Sequence, residues 1–169
     1  MAILFVAFGS DASAESGTAT ARIGTAISIS VDNTNPETDT INAANVNVTH
    51  GALAFGFIIP GTGGTVRVTS AGVVTPSTGL TLTTQLPTGP AQFKVTGEAA
   101  FGYSITMDAS TTIVNGSHSM TVNGLEHNAT GILNGRGEEV FRVGGVLSVS
   151  SGQANGSYTG SFNVDAAYN

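Results

Sequence analysis

Three histidines are the residues of this chain best suited to binding a metal ion or transferring a proton. They are His50, His118 and His127, and each falls in a predicted turn or at a strand edge. A zinc site needs several converging ligands, commonly with helical or Cys-x-x-Cys spacing. The sequence shows no such spacing and contains no cysteine. The three histidines are therefore not predicted to be metal ligands, and His118, in Asn115-Gly-Ser-His118, is predicted to be a solvated hairpin residue.

The acidic residues suggest two further kinds of chemistry. Glu138 and Glu139 are adjacent, and two carboxyl groups that flank a glycosidic bond can hydrolyse it. Neighbouring side chains of a strand point to opposite faces, so these two cannot flank one bond. Asp32, Glu37 and Asp39 lack the Asp-x-Asp-x-Asp-Gly spacing of a calcium loop. They are typical of a solvated surface loop.

A glycine-rich segment, Gly61-Thr-Gly-Gly64, resembles a phosphate-binding loop in its glycines alone. It has no lysine and no following helix, and such a loop needs both, so the segment predicts a plain turn. The sequence as a whole predicts a protein that is not an enzyme. We expect no catalytic residue, no cofactor-binding residue, no metal ligand and no bound cofactor.

The composition favours strands and tight turns. Only 9% of the 169 residues are charged, whereas about 25% is usual in globular proteins. Threonine and valine suit pleated surfaces, and the 23 glycines, together with asparagines, supply turn conformations. A net charge of −6 with five basic residues cannot provide the positive patch that phosphate contacts require. We therefore expect no nucleic-acid partner.

The end of the chain predicts a strand with one buried face. From Tyr158 to Ala166 apolar or small residues alternate with polar ones, and a period of two indicates a strand. The predicted inward face carries Tyr158, Gly160, Phe162, Val164, Ala166 and Tyr168. Because a chain end frays unless a sheet holds it, this segment is predicted to be the last strand of the fold.

A second alternating segment lies near the start of the chain, from Thr18 to Val31. Its predicted apolar face carries Ala19, Ala21, Ile23, Ile27 and Ile29. Strands usually run about 3–10 residues, so this one is too long for a single compact domain. Either it kinks at Gly24 and changes sheets, or its first half reaches into a neighbouring subunit as a donor strand.

These patterns divide the chain into segments. Residues 1–14 carry the apolar run Ala2–Phe8 ahead of small residues, which is typical of a signal-peptide remnant or of a retained apolar strand. Residues 15–31 are the N-terminal strand. Residues 32–169 are the main domain, with a polar, turn-rich insertion at 32–50. We expect a secreted protein, located outside the cell or on its surface.

From Leu53 onward, short apolar strands and turns rich in glycine or asparagine follow one another. This rhythm predicts an all-β fold of two packed antiparallel sheets in which successive strands pair. Asn115-Gly116 and Asn123-Gly124 predict two tight hairpins, and Gly144-Gly145 predicts a break between two strands. The predicted core consists of Phe55, Phe93, Phe101, Tyr103, Ile105, Phe141, Phe162 and Val164.

Several short sequence motifs occur one after another over roughly residues 18–169. They are Leu53-Ala-Phe-Gly56, Ile59-Pro-Gly61, Gly64-Thr-Val66, Pro90-Ala-Gln-Phe93, Val95-Thr-Gly97, Tyr103-Ser-Ile-Thr106, Val143-Gly-Gly145 and Gly156-Ser-Tyr-Thr-Gly160. As a set they resemble a family of small secreted bacterial proteins known only as a domain of unknown function. That family is similar to the pilin subunits of chaperone–usher systems and to spore-coat-like subunits. As in those pilins, Tyr168 is the penultimate residue and Gly156 is fourteenth from the end, although the cysteines that pilins often carry are missing.

The resemblance implies an immunoglobulin-like, pilin-like antiparallel β-sandwich that lacks one strand and is completed by the N-terminal strand of the next subunit. It also implies that a periplasmic chaperone recognises the C-terminal strand, whose inner face includes Tyr158, Phe162, Val164 and Tyr168. The implied partners are copies of the chain itself, a periplasmic chaperone and an outer-membrane usher.

Two functions remain open. One is a non-enzymatic structural subunit of an extracellular filament or surface coat, assembled by β-strand sharing through the donor-strand residues given above. The other is a monomeric secreted or surface module that binds carbohydrate or matrix. Carbohydrate sites usually present exposed aromatic rings, whereas this chain has no tryptophan and only 7% aromatic residues. The sequence therefore favours the structural subunit.

Overall fold

Strands and turns make up residues 21–32 and 52–169, which are the residues that the structure, a computed structural model, describes. The strands are β1 (Ser28–Val31), β2 (Ala54–Ile59), β3 (Gly64–Val68), β4 (Val74–Pro76), β5 (Thr81–Gly89), β6 (Ala91–Thr96), β7 (Tyr103–Met107), β8 (Ser110–Asn115), β9 (His118–His127), β10 (Glu138–Val149) and β11 (Val164–Tyr168). No helix occurs in these two ranges, so they contain none long and apolar enough to cross a membrane. The predicted all-β class is confirmed.

The long strand β10 organises the largest sheet. Its first half pairs with β6, and its second half pairs with both β3 and β9. The sheet continues from β6 to β1, from β3 to β4 and from β9 to β8. All of these pairs are antiparallel. Because β10 has 12 residues, it is long enough to change partners along its length.

Two shorter ladders, β7–β11 and β2–β5, are separate from this sheet. The β7–β11 ladder packs against β6 and β10 through a first core cluster. The buried residues of that cluster are Ala91, Val95, Tyr103, Leu133, Phe141 and Val143. Beside them the rings of Phe93 and Phe141 stack at a centroid distance of 5.6 Å. Val164, Ala166 and Tyr168 of β11 pack against this cluster, and apolar contact therefore holds the C-terminal strand on the sheet.

The β2–β5 ladder packs on a second core cluster, which is formed by β3, β9, the second half of β10 and the residue before β5. Its buried residues are Val66, Leu80, Val122, Leu147 and Val149, and Phe55 and Ile58 of β2 pack against them. Only Pro90 separates β5 from β6 in the sequence, yet the two strands belong to different ladders. Proline has no N–H with which to continue a ladder, so the chain changes partners there.

Close approach of the backbone at Gly144 explains why β10 continues through a predicted break. A Cβ atom on Gly144 would overlap the carbonyl oxygen of Val68 in β3, so only glycine allows the two strands to lie this close. The prediction of two separate strands around Gly144-Gly145 is therefore wrong. The glycines permit tight packing within one strand rather than a turn between two.

The two Asn-Gly pairs have different roles. Asn115-Gly116 lies at the β8–β9 hairpin, as predicted, where Gly116 has φ 60°. Asn123-Gly124 lies inside β9 and forms no hairpin, so that prediction is wrong. Gly124 has φ 57°, and the register of β9 against β10 shifts there, which is a β-bulge. A glycine with positive φ suits a turn and a bulge equally, so the pair alone does not distinguish them.

Strand pairing differs more from the prediction than strand position does. β6 runs from Ala91 to Thr96 as predicted, whereas β4 and β8 were not predicted. Among the described strands, successive ones pair in β3–β4, β8–β9 and β9–β10, and the other ladders join strands that are distant in sequence. The expectation that successive strands pair throughout is wrong. Alternation indicates which face of a strand is apolar, whereas strands pair along their edges through backbone hydrogen bonds, and every residue except proline carries the same backbone groups.

The N-terminal strand is much shorter than predicted. The ladder between β1 and β6 begins at Ser28 and ends at Val31, and residues 21–27 form no strand. Within the single chain, residues 21–27 therefore form no strand, and residues 18–20 lie outside the described ranges. That residues 21–27 pair with a neighbouring copy stays a prediction. The physical reason is that β6 ends at Thr96, opposite Ser28, so the residues before Ser28 have no ladder to join.

Most of the predicted core is confirmed. Tyr103 and Phe141 are buried, and the partly buried Phe55, Phe93, Ile105, Phe162 and Val164 pack against the two clusters. Phe101 was predicted to be buried, and this is wrong because 47% of it is exposed. It precedes β7 in a turn and packs edge-to-face on Tyr168, with ring centroids 5.8 Å apart.

Candidate functional site

The described histidines lie apart from one another. His118 begins β9 beside the hairpin turn, and His127 ends the same strand. His127 accepts a hydrogen bond at Nδ1 from the N–H of Ala129 at 3.2 Å and packs edge-to-face on Phe141. No group of three or more metal-ligating side chains occurs in residues 21–32 and 52–169. His50 lies outside those ranges.

Glu138 and Glu139 point to opposite faces of β10, as predicted. Glu138 forms an ion pair with Lys94 at 2.8 Å. Glu139 accepts hydrogen bonds from the Tyr103 hydroxyl at 2.7 Å and from the Thr130 N–H at 2.6 Å. Burial raises the pKa of Tyr103, and its hydrogen bond to Glu139 raises it further. This network joins β10, β7 and the loop after β9, and it is a structural cross-link.

The glycine-rich segment after β2 is a turn, as predicted. The N–H of Thr62 donates to the carbonyl of Gly79 at 3.1 Å, and the N–H of Gly63 donates to the carbonyl of Pro60 at 2.7 Å. These amides are occupied by the chain itself. Of the three acids considered for calcium, Asp32 is buried and accepts a hydrogen bond from Gln92 at 3.0 Å. Glu37 and Asp39 lie outside the described residues.

The predicted donor-strand residues fall into two groups. Ala21 and Ile23 are exposed, and Ile23 is 98% accessible. Ile27 and Ile29 are partly buried and pack against the first core cluster of their own chain. Ala19 lies outside the described residues. In the single chain, the segment therefore contributes its second half to the core and leaves its first half in solvent.

The predicted residues of the C-terminal strand alternate in exposure with their neighbours, although β11 itself spans only Val164–Tyr168. Phe162 packs edge-to-face on Phe93 at a centroid distance of 6.0 Å, and Val164 packs on the first cluster. The Tyr158 hydroxyl donates to the carbonyl of Ala154 at 2.9 Å and accepts from Gln153 at 2.8 Å. Three of the four side chains thus have local structural partners.

Tyr168, the fourth, joins the two ends of the described chain. Its hydroxyl donates to the carbonyl of Thr25 at 2.7 Å and accepts from the N–H of Glu98 at 2.6 Å. The Glu98 carboxylate accepts from the N–H of Thr25 at 2.9 Å and pairs with Arg22. A Cβ atom on Gly97 would overlap the Tyr168 hydroxyl. We call Arg22, Thr25, Gly97, Glu98 and Tyr168 the Tyr168 junction.

The charge of the junction resides on Glu98. Its side chain is only 14% exposed, whereas that of Arg22 is 75% exposed. The N–H of Thr25 lowers the pKa of Glu98, and the Arg22 guanidinium lowers it further, while partial burial acts in the opposite direction. The junction therefore holds a carboxylate in its ionised form against the main chain of the N-terminal segment.

Sequence reasoning found Tyr168 but missed its partners. Thr25 is the one polar residue on the predicted apolar face of the N-terminal segment, but Glu98, which lies 73 residues away in sequence, interrupts no pattern. Gly97 appeared only as the end of the motif Val95-Thr-Gly97. The signal that pointed to Tyr168 was the alternation of the C-terminal segment, which placed this residue on the inward face.

Comparison with protein-family models matches residues 46–168 to Domain of unknown function (DUF4402). The chain belongs to the DUF4402 family. Membership in a family of unknown function, predicted from the sequence, is thereby confirmed over these residues. Comparisons with curated proteins and with solved structures found no match.

The DUF4402 match covers β2 to β11 and ends at Tyr168, and β1 precedes it. Gly97, Glu98 and Tyr168 therefore belong to the matched domain, whereas Arg22 and Thr25 lie outside the match. The similarity to chaperone–usher pilins and spore-coat-like subunits stays a prediction.

Proposed function

We propose that this DUF4402 protein is a non-enzymatic structural subunit of an extracellular filament or surface coat, and that its copies join by sharing β1. The observation that carries the proposal is the position of β1. It is a four-residue strand at the end of the large sheet with β6 as its partner. Its segment places Ile27 and Ile29 on the first core cluster. A neighbour's segment can supply the same ladder and the same two side chains.

The chain length between β1 and β2 is compatible with such an exchange. Residues 33–51 separate the described segments, and a chain of that length spans up to about 60 Å when extended. A connection of this reach allows β1 to pair with its own β6 or with that of an adjacent copy. Each copy then gives one strand and receives one, which is a head-to-tail contact that forms a filament unless it closes into a ring.

The proposal includes an immunoglobulin-like, pilin-like sandwich. Two features support it. First, β10 pairs with β6 along its first half and with β3 and β9 along its second half. Second, the chain leaves one ladder and enters another at Pro90, between β5 and β6. Strands that change partners in this way are common where two sheets pack face to face.

The proposed partners are copies of the chain, together with a periplasmic chaperone and an outer-membrane usher during export. The alternation from Tyr158 to Tyr168 supports a chaperone that binds the C-terminal strand, because such strands are recognised by strand addition with alternate side chains in pockets. Secretion is proposed from residues 1–14, which lie outside the described ranges.

Disulfide trapping tests strand sharing directly, since the chain has no cysteine of its own. Ser28 and Thr96 are opposite each other, and their hydroxyl oxygens lie 2.8 Å apart. A Ser28→Cys chain mixed with a Thr96→Cys chain should form a disulfide-linked dimer under mild oxidation if β1 is shared. The double variant on one chain should then give a ladder of oligomers. A double variant that yields only cross-linked monomer would overturn the proposal. Ser110→Cys with Thr96→Cys is the control pair.

The alternative function, a monomeric module that binds carbohydrate or matrix, is favoured by one observation. Phe57 and Phe101 are 42% and 47% exposed, and exposed rings can serve as stacking platforms for sugars. This function predicts a monomer whose binding to polysaccharide is lost in Phe57→Ala or Phe101→Ala. Affinity electrophoresis in polysaccharide gels measures it, and unchanged mobility of the wild-type protein would exclude this alternative for the polysaccharides used.

A further inference from the structure

The main chain of Thr25 is held by side chains rather than by a ladder. Its N–H donates to Glu98 at 2.9 Å, and its carbonyl accepts from Tyr168 at 2.7 Å. Residues 21–27 form no strand, and the junction holds their main chain at Thr25. This contact lies three residues before the β1–β6 ladder begins at Ser28.

The receiving half of the junction is assembled without the N-terminal segment. The N–H of Glu98 donates to the Tyr168 hydroxyl at 2.6 Å, and the N–H of Phe101 donates to the carbonyl of Glu98 at 3.3 Å, which closes a turn. Within that turn Ala100 has φ 62°, a left-handed conformation that is uncommon for residues other than glycine. Such conformations persist where the surroundings fix them, often at functional sites.

The alternating pattern of the segment leaves its register ambiguous. A slip of one residue turns every apolar side chain to the wrong face, but a slip of two residues keeps all of them on the same face. Ala21, Ile23, Ile27, Ile29 and Val31 occupy alternate positions of the sequence, and Thr25 is the one polar residue among them. Alternation alone therefore distinguishes poorly between registers two residues apart, and the contacts at Thr25 can choose between them.

We propose that the Tyr168 junction makes this choice: it recognises Arg22 and Thr25 on the N-terminal segment of a neighbouring copy and so sets the register of the shared strand. This inference rests on the proposed strand sharing. Glu98 supplies the charge that complements Arg22, and the pair of main-chain contacts at Thr25 fixes the position along the strand. With Thr25 held, Ser28 is placed opposite Thr96.

The register can be read by disulfide trapping in full-length chains. Ser28→Cys with Thr96→Cys, carried on separate chains, reports the observed register. Ser30→Cys with Thr96→Cys reports a slip of two residues, because Ser30 lies two positions further along the same face. We expect the first intermolecular disulfide to exceed the second by about tenfold or more, since two hydrogen bonds favour it.

Removing the junction contacts should change this ratio. In chains that also carry Tyr168→Phe and Glu98→Gln, we expect the ratio of the disulfide between positions 28 and 96 to that between positions 30 and 96 to fall by about five- to tenfold. Tyr158→Phe is the matched control, since it also removes a tyrosine hydroxyl with two hydrogen bonds, and these lie away from the N-terminal segment. It should leave the ratio unchanged. A general loss of stability lowers both disulfides and does not alter their ratio.

Exchanged charges give an independent test between chains. Arg22→Glu and Glu98→Arg should each reduce assembly when alone, because like charges then meet at every junction. A mixture of the two variants should restore it, since each donor segment then finds an opposite charge on its neighbour.

Three outcomes are distinguishable. The inference is supported if the disulfide ratio falls in the Tyr168→Phe, Glu98→Gln chains but not in Tyr158→Phe, and if mixing the two charge variants restores assembly. An unchanged ratio among intermolecular disulfides overturns it and leaves strand sharing intact. Disulfides that form only within one chain overturn strand sharing and this inference with it.

Discussion

At the scale of single residues, Glu98 makes attachment of the N-terminal segment dependent on pH. Its pKa is held below the ordinary value of 4.5, first by the N–H of Thr25 and then by Arg22. A carboxyl group whose pKa is lowered by folding stabilises the folded state above its unfolded pKa, and this stabilisation is lost as the pH falls through the folded value. The junction should therefore weaken below about pH 4.5.

Hydrogen exchange at the Thr25 amide is the measurement that checks this. We expect the Thr25 amide to be protected from exchange at neutral pH. In acid its protection should decrease by more than the pH dependence of the intrinsic exchange rate explains. Glu98→Gln should have low protection that no longer depends on pH in this way. Glu138→Gln, which removes a carboxylate paired with Lys94, is the control. Equal acid dependence in wild type and Glu98→Gln would contradict the prediction.

Gly97 is the residue whose substitution should damage the junction most selectively. An added Cβ would overlap the Tyr168 hydroxyl and lie 3.0 Å from a methyl group of Leu133. We expect Gly97→Ala to lower the free energy of unfolding by about 1–3 kcal/mol, the usual cost of overpacking. Gly135→Ala is the matched control because nothing lies within 4 Å of its Cβ position. Urea denaturation measures both, and similar values for the two variants would refute the explanation.

At the scale of elements, the C-terminal strand is held by side chains of graded burial. Phe162 is half-buried at the edge of the first cluster, whereas Phe141 of β10 is fully buried within it. We expect Phe141→Ala to cost about 3–5 kcal/mol and Phe162→Ala about 2–3 kcal/mol, because less of its surface is removed from water. Phe57→Ala, at an exposed position of β2, should cost less than about 1 kcal/mol. Chemical denaturation ranks the three, and a Phe162→Ala value no larger than that of Phe57→Ala would place Phe162 outside the core.

Some features of a strand follow from the order of its own side chains, and others depend on its partner strand. The predicted bounds of β6 are confirmed, and Phe162, Val164, Ala166 and Tyr168 alternate in exposure with their neighbours as predicted. The prediction of one strand from Tyr158 is wrong in its first half, because β11 begins at Val164 and Gly160 is exposed. Gly124 and Gly144 were misread because glycine permits a turn, a bulge or close backbone contact. Which of these occurs depends on the partner strand.

At the scale of the whole molecule, strand sharing predicts that stability depends on protein concentration. If β1 completes a neighbouring copy, folding is linked to association, and the midpoint of urea unfolding should rise as the protein is concentrated. The apparent free energy of unfolding should increase by about 1.4 kcal/mol for each tenfold increase in protein concentration, where one association event accompanies folding. A midpoint that is constant over about a hundredfold range would mean that each chain completes itself.

An internal disulfide provides the control for this measurement. A chain in which Ser28→Cys and Thr96→Cys are linked to each other keeps β1 on its own β6. Its unfolding midpoint should be independent of concentration. The comparison separates strand sharing from association through any other surface.

The sequence by itself determined the all-β class, the positions of several strands and the apolar side of strands such as β6. These properties follow from side-chain order within a few residues, which a period of two displays directly. The tertiary structure alone decided that β10 joins β6, β3 and β9, that Phe101 is exposed, and that Glu98 and Tyr168 meet Thr25. Those outcomes depend on contacts between residues far apart in the chain. Alternation states which side of a strand is apolar, and it carries no information about which other strand, or which copy, covers that side.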